Sequence, residues 1–105
     1  MLNYDEKGLI PAIIQDDETN AVLMLGYMRA DTLQKTKEIG QVVFWSRSRQ
    51  EVWHKGATSG DLLEVKSIKA DCEHNSLLVR VKMLGGAVCH TGAKSCFFNE
   101  VEELA

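Results

Sequence analysis

The sequence predicts an α+β domain, strand-rich and with one main helix. Two apolar runs, 10–14 and 22–28, flank the polar stretch Asp16-Asp17-Glu18-Thr19-Asn20, the pattern of a hairpin. Between Leu77 and Met83, apolar residues alternate with Leu78, Arg80 and Lys82, which marks a half-buried strand with a basic outer face. Only the segment between Asp31 and Gly40 carries helix start and stop signals.

The elements follow in order. The first hairpin pairs 10–14 with 22–28. Asp31 is the expected helix cap, Gly40 the expected stop, and Leu33 with Ile39 form a thin apolar stripe suited to a short surface helix. Val42 to Trp45 reads as a buried strand. Ser46 to Gly60 is polar and carries Gly56 and Gly60, so it reads as a long functional loop interrupted by an extended piece at Val52-Trp53. Leu62 to Ala70 is a mixed strand, joined through the tight polar turn 71–76 to the alternating strand. Gly85-Gly86 opens a second loop that carries Cys89 and Cys96, and the acidic tail 99–105 is expected to fray or turn helical.

A chain of 105 residues is one domain by length, 1–105, and a core of that size gains from dimerisation. A net charge of −3 argues against polynucleotide or membrane-surface binding, both of which favour a basic excess. No apolar run approaches the roughly 18 residues of a membrane span. The polar, acidic stretch 1–6 is not a signal peptide, and three cysteines, an odd number, fit a reducing, cytoplasmic setting.

Those cysteines, Cys72, Cys89 and Cys96, are the first candidate site. Three thiolates leave one corner of a zinc tetrahedron open for water. Their spacing differs from the Cys-x-x-Cys pairs of structural zinc ribbons, and three buried thiols acting as small apolar groups is the competing reading. In Asp71-Cys72-Glu73-His74-Asn75 the oxygen side chains of Asp71, Glu73 and Asn75 suit a hard cation such as Mg²⁺. An extended chain would put them on one face and Cys72 on the other; a solvated acidic turn is the alternative.

Trp45, Arg47, Arg49, Lys55, Thr58 and Ser59 form a local basic, hydroxyl-rich island in an acidic chain, suited to phosphate. Trp45 or Trp53 could stack on a base or pack in the core. His90, directly after Cys89, is open to three readings: metal ligand, proton shuttle or structural histidine. His54 and His74 are open to the same readings.

Phe44-Trp-Ser-Arg-Ser-Arg49, Trp53-x-Lys-Gly-x-Thr-Ser-Gly60, Asp71-Cys72, Cys89-His-Thr-Gly92 and Ser95-Cys-Phe97 occur in this order. Together with Leu9–Asp16 and Val22–Met28 they make the chain resemble phosphoribosyl-AMP cyclohydrolase, from about Gly8 to Phe98. The resemblance implies hydrolytic opening of the adenine ring of N1-(5-phosphoribosyl)-AMP between N1 and C6, in histidine biosynthesis. It implies an obligate homodimer with one zinc per subunit at the interface, held by Cys72 of one chain and Cys89 and Cys96 of the other. It also implies Mg²⁺ held by an Asp-Cys-Asp-x-Asp turn, from which this chain departs: only Asp71 matches, and Glu73 and Asn75 replace the other two aspartates. The expected Mg²⁺ site is therefore weakened or altered. The chain is expected to lack the pyrophosphohydrolase domain fused to this enzyme in some organisms.

Under that resemblance His90 is the expected proton shuttle, and the basic island grips the substrate's phosphates. Two alternatives remain: a relative with an altered Mg²⁺ site and a different nucleotide substrate, and a non-catalytic, zinc-stabilised nucleotide-binding module.

Overall fold

A computed structural model describes residues 1–102, with six strands and one α-helix: β1 (Ile10–Asp16), β2 (Val22–Met28), α1 (Ala30–Ile39), β3 (Val43–Ser46), β4 (Glu51–His54), β5 (Leu63–Ala70) and β6 (Leu77–Met83). The main sheet has the order β2-β1-β6-β5, and β3 and β4 form a separate two-stranded ribbon. The expected α+β class and the single main helix are both present. No helix among the described residues is long and apolar enough to cross a membrane.

β1 and β2 form the predicted hairpin, antiparallel with a bulge at Ile14/Gln15. Asp16 organises its turn: its carboxylate accepts the Glu18 N–H at 3.0 Å and the Thr19 hydroxyl at 3.0 Å. β1 lies parallel to β6, with Ala12 opposite Leu77 and Asp16 opposite Val81. A parallel pair needs a long crossover, and the helix, the ribbon and β5 supply it. Period-two alternation buries Ile10, Ala12 and Ile14 from β1 and Leu77, Val79 and Val81 from β6 on one face. The predicted basic outer face of β6 has a structural use. Arg80 donates to Asp17 Oδ1 at 2.8 Å, Gln15 Oε1 at 2.9 Å and Asn20 Oδ1 at 2.6 Å, and so locks the first turn onto β6.

The helix differs from the expectation in two details. Its N-cap is Arg29, whose backbone N–H donates to Thr32 Oγ1 at 2.9 Å, and Asp31 sits within the first turn. The buried face is Thr32, Leu33 and Thr36, while Ile39 is 39% exposed. Polar threonines can be buried here because their hydroxyls are satisfied. Thr36 Oγ1 donates to the Thr32 carbonyl at 2.8 Å and accepts the Val43 N–H at 3.0 Å, which ties α1 to β3. Gly40 ends the helix as expected, with φ 70 and its N–H on the Thr36 carbonyl.

The extended piece expected at Val52-Trp53 within the polar stretch is a strand, β4. β4 pairs with β3 in register Phe44↔Trp53 and Trp45↔Val52, closing a hairpin through 47–50 in which Gln50 takes φ 53. Phe44 is fully buried, and the hairpin packs it against β2 at Gly26. A Cβ at Gly26 would lie 2.6 Å from the Phe44 ring, so only glycine admits that approach. The lead-in to β3 covers the edge of β5: Val42 N–H donates to the Leu63 carbonyl at 3.1 Å and Val65 N–H to that of Gly40 at 2.9 Å. The part of the expected tail within 99–102 has no regular structure; the rest lies outside the described residues.

Candidate metal and nucleotide site

The loop after β6 builds the cysteine pair. Gly92 N–H donates to the Cys89 carbonyl at 2.9 Å, which folds 89–92 into a tight turn. Further on, Cys96 N–H donates to the Leu23 carbonyl at 2.7 Å and Ser95 Oγ to that of Val22 at 2.8 Å. The unpaired edge of β2 thus anchors Cys96. The two thiols are near enough to perturb each other.

Their environments push the two thiols apart. Cys89 is lowered from the ordinary thiol pKa, first by the Thr91 hydroxyl, which donates to its sulfur at 3.1 Å, and in smaller part by Cys96 and the Lys55 charge. Burial raises Cys96, and the neighbouring Cys89 raises it further. Two sulfurs brought to one place are the donor type that a soft cation takes.

Cys72 is elsewhere. It is exposed in the turn between β5 and β6, next to the pair Ala70↔Leu77. Leu23, which holds Cys96, lies two strands away and level with Val79 and Arg80. Strand rise and spacing put the two places on the order of 15–20 Å apart. Among the described residues no three His, Cys, Asp or Glu side chains gather as a metal site.

The chain at 71–76 turns; it is not the extended segment that would set three oxygens on one face. His74 takes φ 57, and Asp71 Oδ1 accepts the N–H groups of Asn75 at 2.8 Å and Ser76 at 3.1 Å. With its amide correctly oriented, the Asn75 side chain donates to the same carboxylate at 2.8 Å. Glu73 is exposed, and its carbonyl accepts Asn3 Nδ2 at 2.9 Å. Asp71 is thus committed to holding the turn.

The donor island wraps adjoining clefts. One, of about 300 Å³, is lined by Lys55, Thr58, Ser59, Asp61, Cys89 and His90 among others. A second, of about 390 Å³, is lined by Ser46, Ser48, Arg49, Glu51, Trp53 and His90. Trp53 and His90 belong to both, so His90 stands where the cysteine pair and the Arg49 side of the island meet.

Trp45 and Arg47 lie in a third cleft, which shares Ser46, Ser48 and Trp53 with the second. There Arg29 stacks 3.7 Å over the Trp45 ring and Arg47 3.8 Å over Tyr27. His54 is bonded to Gln41 Oε1 at 2.7 Å. Asp61 is a cleft residue that the sequence did not single out, whereas Trp53, named as a base-stacking candidate, lines all three clefts. Trp53 pairs with Phe44 across the ribbon yet is 41% exposed, a placement that depends on what packs beside the ribbon.

A family model described as phosphoribosyl-AMP cyclohydrolase matches residues 24–98. The chain is 54% identical to a phosphoribosyl-AMP cyclohydrolase of Listeria monocytogenes over 104 residues, covering 98% of each chain. It is 53% identical to one of Desulfatibacillum aliphaticivorans, over 90% of this chain and 76% of the relative. A histidine biosynthesis bifunctional protein HisIE of a Nostoc species is 53% identical over 91% of this chain, which spans 44% of that relative's length.

Proposed function

The chain belongs to the phosphoribosyl-AMP cyclohydrolase family, and from that membership we propose that it opens the adenine ring of N1-(5-phosphoribosyl)-AMP by hydrolysis between N1 and C6. The observation that carries this reading is the convergence of Cys89 and His90 with the donors Thr58, Ser59 and Arg49 on adjoining clefts, Cys96 standing beside Cys89. The same placement argues for a homodimer. Cys72 lies at the far end of the sheet, so a three-sulfur site needs Cys72 from one copy and Cys89 with Cys96 from a second.

Cys72 of one copy with Cys89 and Cys96 of a second would hold Zn²⁺, which would supply a water acidified toward neutral pH. The residues around it do the rest. Thr58, Ser59 and Arg49 hold the substrate's phosphates, and the exposed Trp53 face offers a platform for the base. Ring opening adds one water across the C6–N1 bond, so a proton must reach N1 as that bond breaks. His90, shared by both clefts, is placed to deliver it.

The turn at 71–75 does not fit Mg²⁺ as three aspartates would. It offers two carboxylates and an amide, and Asp71 already accepts two backbone N–H groups. No step of the reaction is assigned to Mg²⁺. The same departure favours a second reading, a relative acting on a different nucleotide.

Turnover of N1-(5-phosphoribosyl)-AMP, followed by the ultraviolet change on ring opening, tests the proposal. The expected result is zinc-dependent turnover, insensitive to millimolar Mg²⁺ and lost by about 100-fold in His90→Ala at saturating substrate. Zinc-loaded protein that leaves this substrate intact would refute the reading.

A further inference from the structure

Lys55 is the one lysine of eight that is buried, at 8% exposure. Its Nζ donates to the Val88 carbonyl at 2.5 Å, the residue before Cys89, and lies 5.3 Å from the centre of the Trp53 ring. No carboxylate among the described residues is within ion-pair distance of it. Burying an ammonium without a counter-charge costs several kcal/mol. Its charge is felt by Cys89 and Cys96, the pair that follows Val88 in the same loop.

We propose that Lys55 is a positioning residue of the sulfur site, a strut and resident counter-ion rather than a phosphate ligand. Its backbone is held at the end of the ribbon by the Val42 carbonyl at 3.1 Å, so its side chain fixes the Val88–Cys89 segment to a rigid element. Three thiolates around Zn²⁺ carry a net charge of −1, and Lys55 supplies the opposite charge from inside the protein. An exposed arginine such as Arg49 is free to follow a phosphate, whereas a lysine already bonded to a carbonyl and covered by an indole is not. This inference rests on the three-cysteine zinc site of the proposed function.

Zinc affinity by chelator competition, on the full chain, tests it without reference to turnover. Lys55→Met should weaken zinc binding by about 10- to 100-fold, the usual effect of removing an outer-shell partner. Lys55→Gln, which keeps a donor for Val88 but not the charge, should fall between that variant and wild type. With zinc saturating, the KM of each should stay within about threefold of wild type. Zinc affinity unchanged in both variants, with KM raised about tenfold or more, would make Lys55 a phosphate ligand and overturn the proposal.

Acylation of the wild-type protein, read lysine by lysine by mass spectrometry, does not depend on a variant folding. Lys55 should be the slowest lysine to react, and zinc should slow it further. Protection by inorganic phosphate but not by zinc would overturn the assignment. Wild-type protein that binds no zinc would remove the sulfur site itself, whereas normal zinc binding in Lys55→Met removes only the role of Lys55.

Discussion

Thr36→Val isolates the contact that seats the ribbon. Thr36 Oγ1 accepts the Val43 N–H at 3.0 Å, and the two residues are 0% and 1% exposed, so water cannot replace the hydroxyl. Valine has nearly the same shape but leaves that N–H without an acceptor. The Thr32 carbonyl loses only a second donor, because it keeps the helical N–H of residue 36. An unsatisfied buried donor costs about 1–3 kcal/mol, and we take about 2 for this site. At about 4–6 °C per kcal/mol for a domain near this size, Tm falls by about 8–12 °C.

The assay is thermal melting at fixed protein concentration, with amide exchange at Val43 as the local readout. Thr36→Ser keeps the oxygen and loses only a methyl, so its loss is nearer 1 kcal/mol. A Thr36→Val melt within about 2 °C of wild type, or a Thr36→Ser variant less stable than Thr36→Val, would refute the reasoning.

Two further outcomes are expected. Arg49→Ala should raise KM more than it lowers kcat, because a phosphate contact at the cleft rim is made equally in ground and transition states; steady-state kinetics showing a pure kcat loss would assign Arg49 another role. Asp31 is held below the ordinary carboxylate pKa by the hydrogen-bonded Arg29 guanidinium, so its contribution is present above the unfolded value and lost as pH falls through the folded one. Denaturant titrations should therefore show a modest stability gap between wild type and Asp31→Asn near neutral pH that closes as pH falls below the ordinary carboxylate range; a gap that widens with acid would contradict the sign.

The first hairpin was legible because two apolar runs flank a polar turn of Asp, Glu, Thr and Asn, and β6 because its apolar residues repeat at period two. The β3–β4 hairpin was harder. Its turn, Arg47-Ser48-Arg49-Gln50, has no glycine or asparagine, and Gln50 takes the left-handed conformation instead. The helix face was missed because Thr32 and Thr36 are polar by type and become buriable only once β3 supplies a partner for the Thr36 hydroxyl.

At the candidate site the residue types were readable, but their grouping was not. That Cys72 stands apart from Cys89 and Cys96 follows from the strand order β2-β1-β6-β5 and the parallel pairing of β1 with β6. No local pattern encodes that order. The burial of Lys55 is likewise tertiary: the carbonyl that holds it is 33 residues away.

Subunit mixing tests the two-copy sulfur site most directly. Cys72→Ser and Cys89→Ser should each be inactive alone. After subunit exchange, half the dimers pair one of each variant, and such a dimer has one site whose three cysteines are all intact. An equimolar mixture should therefore recover about a quarter of the wild-type activity per chain. Mixed dimers, verified by intact mass, that recover nothing above either variant alone would contradict the account.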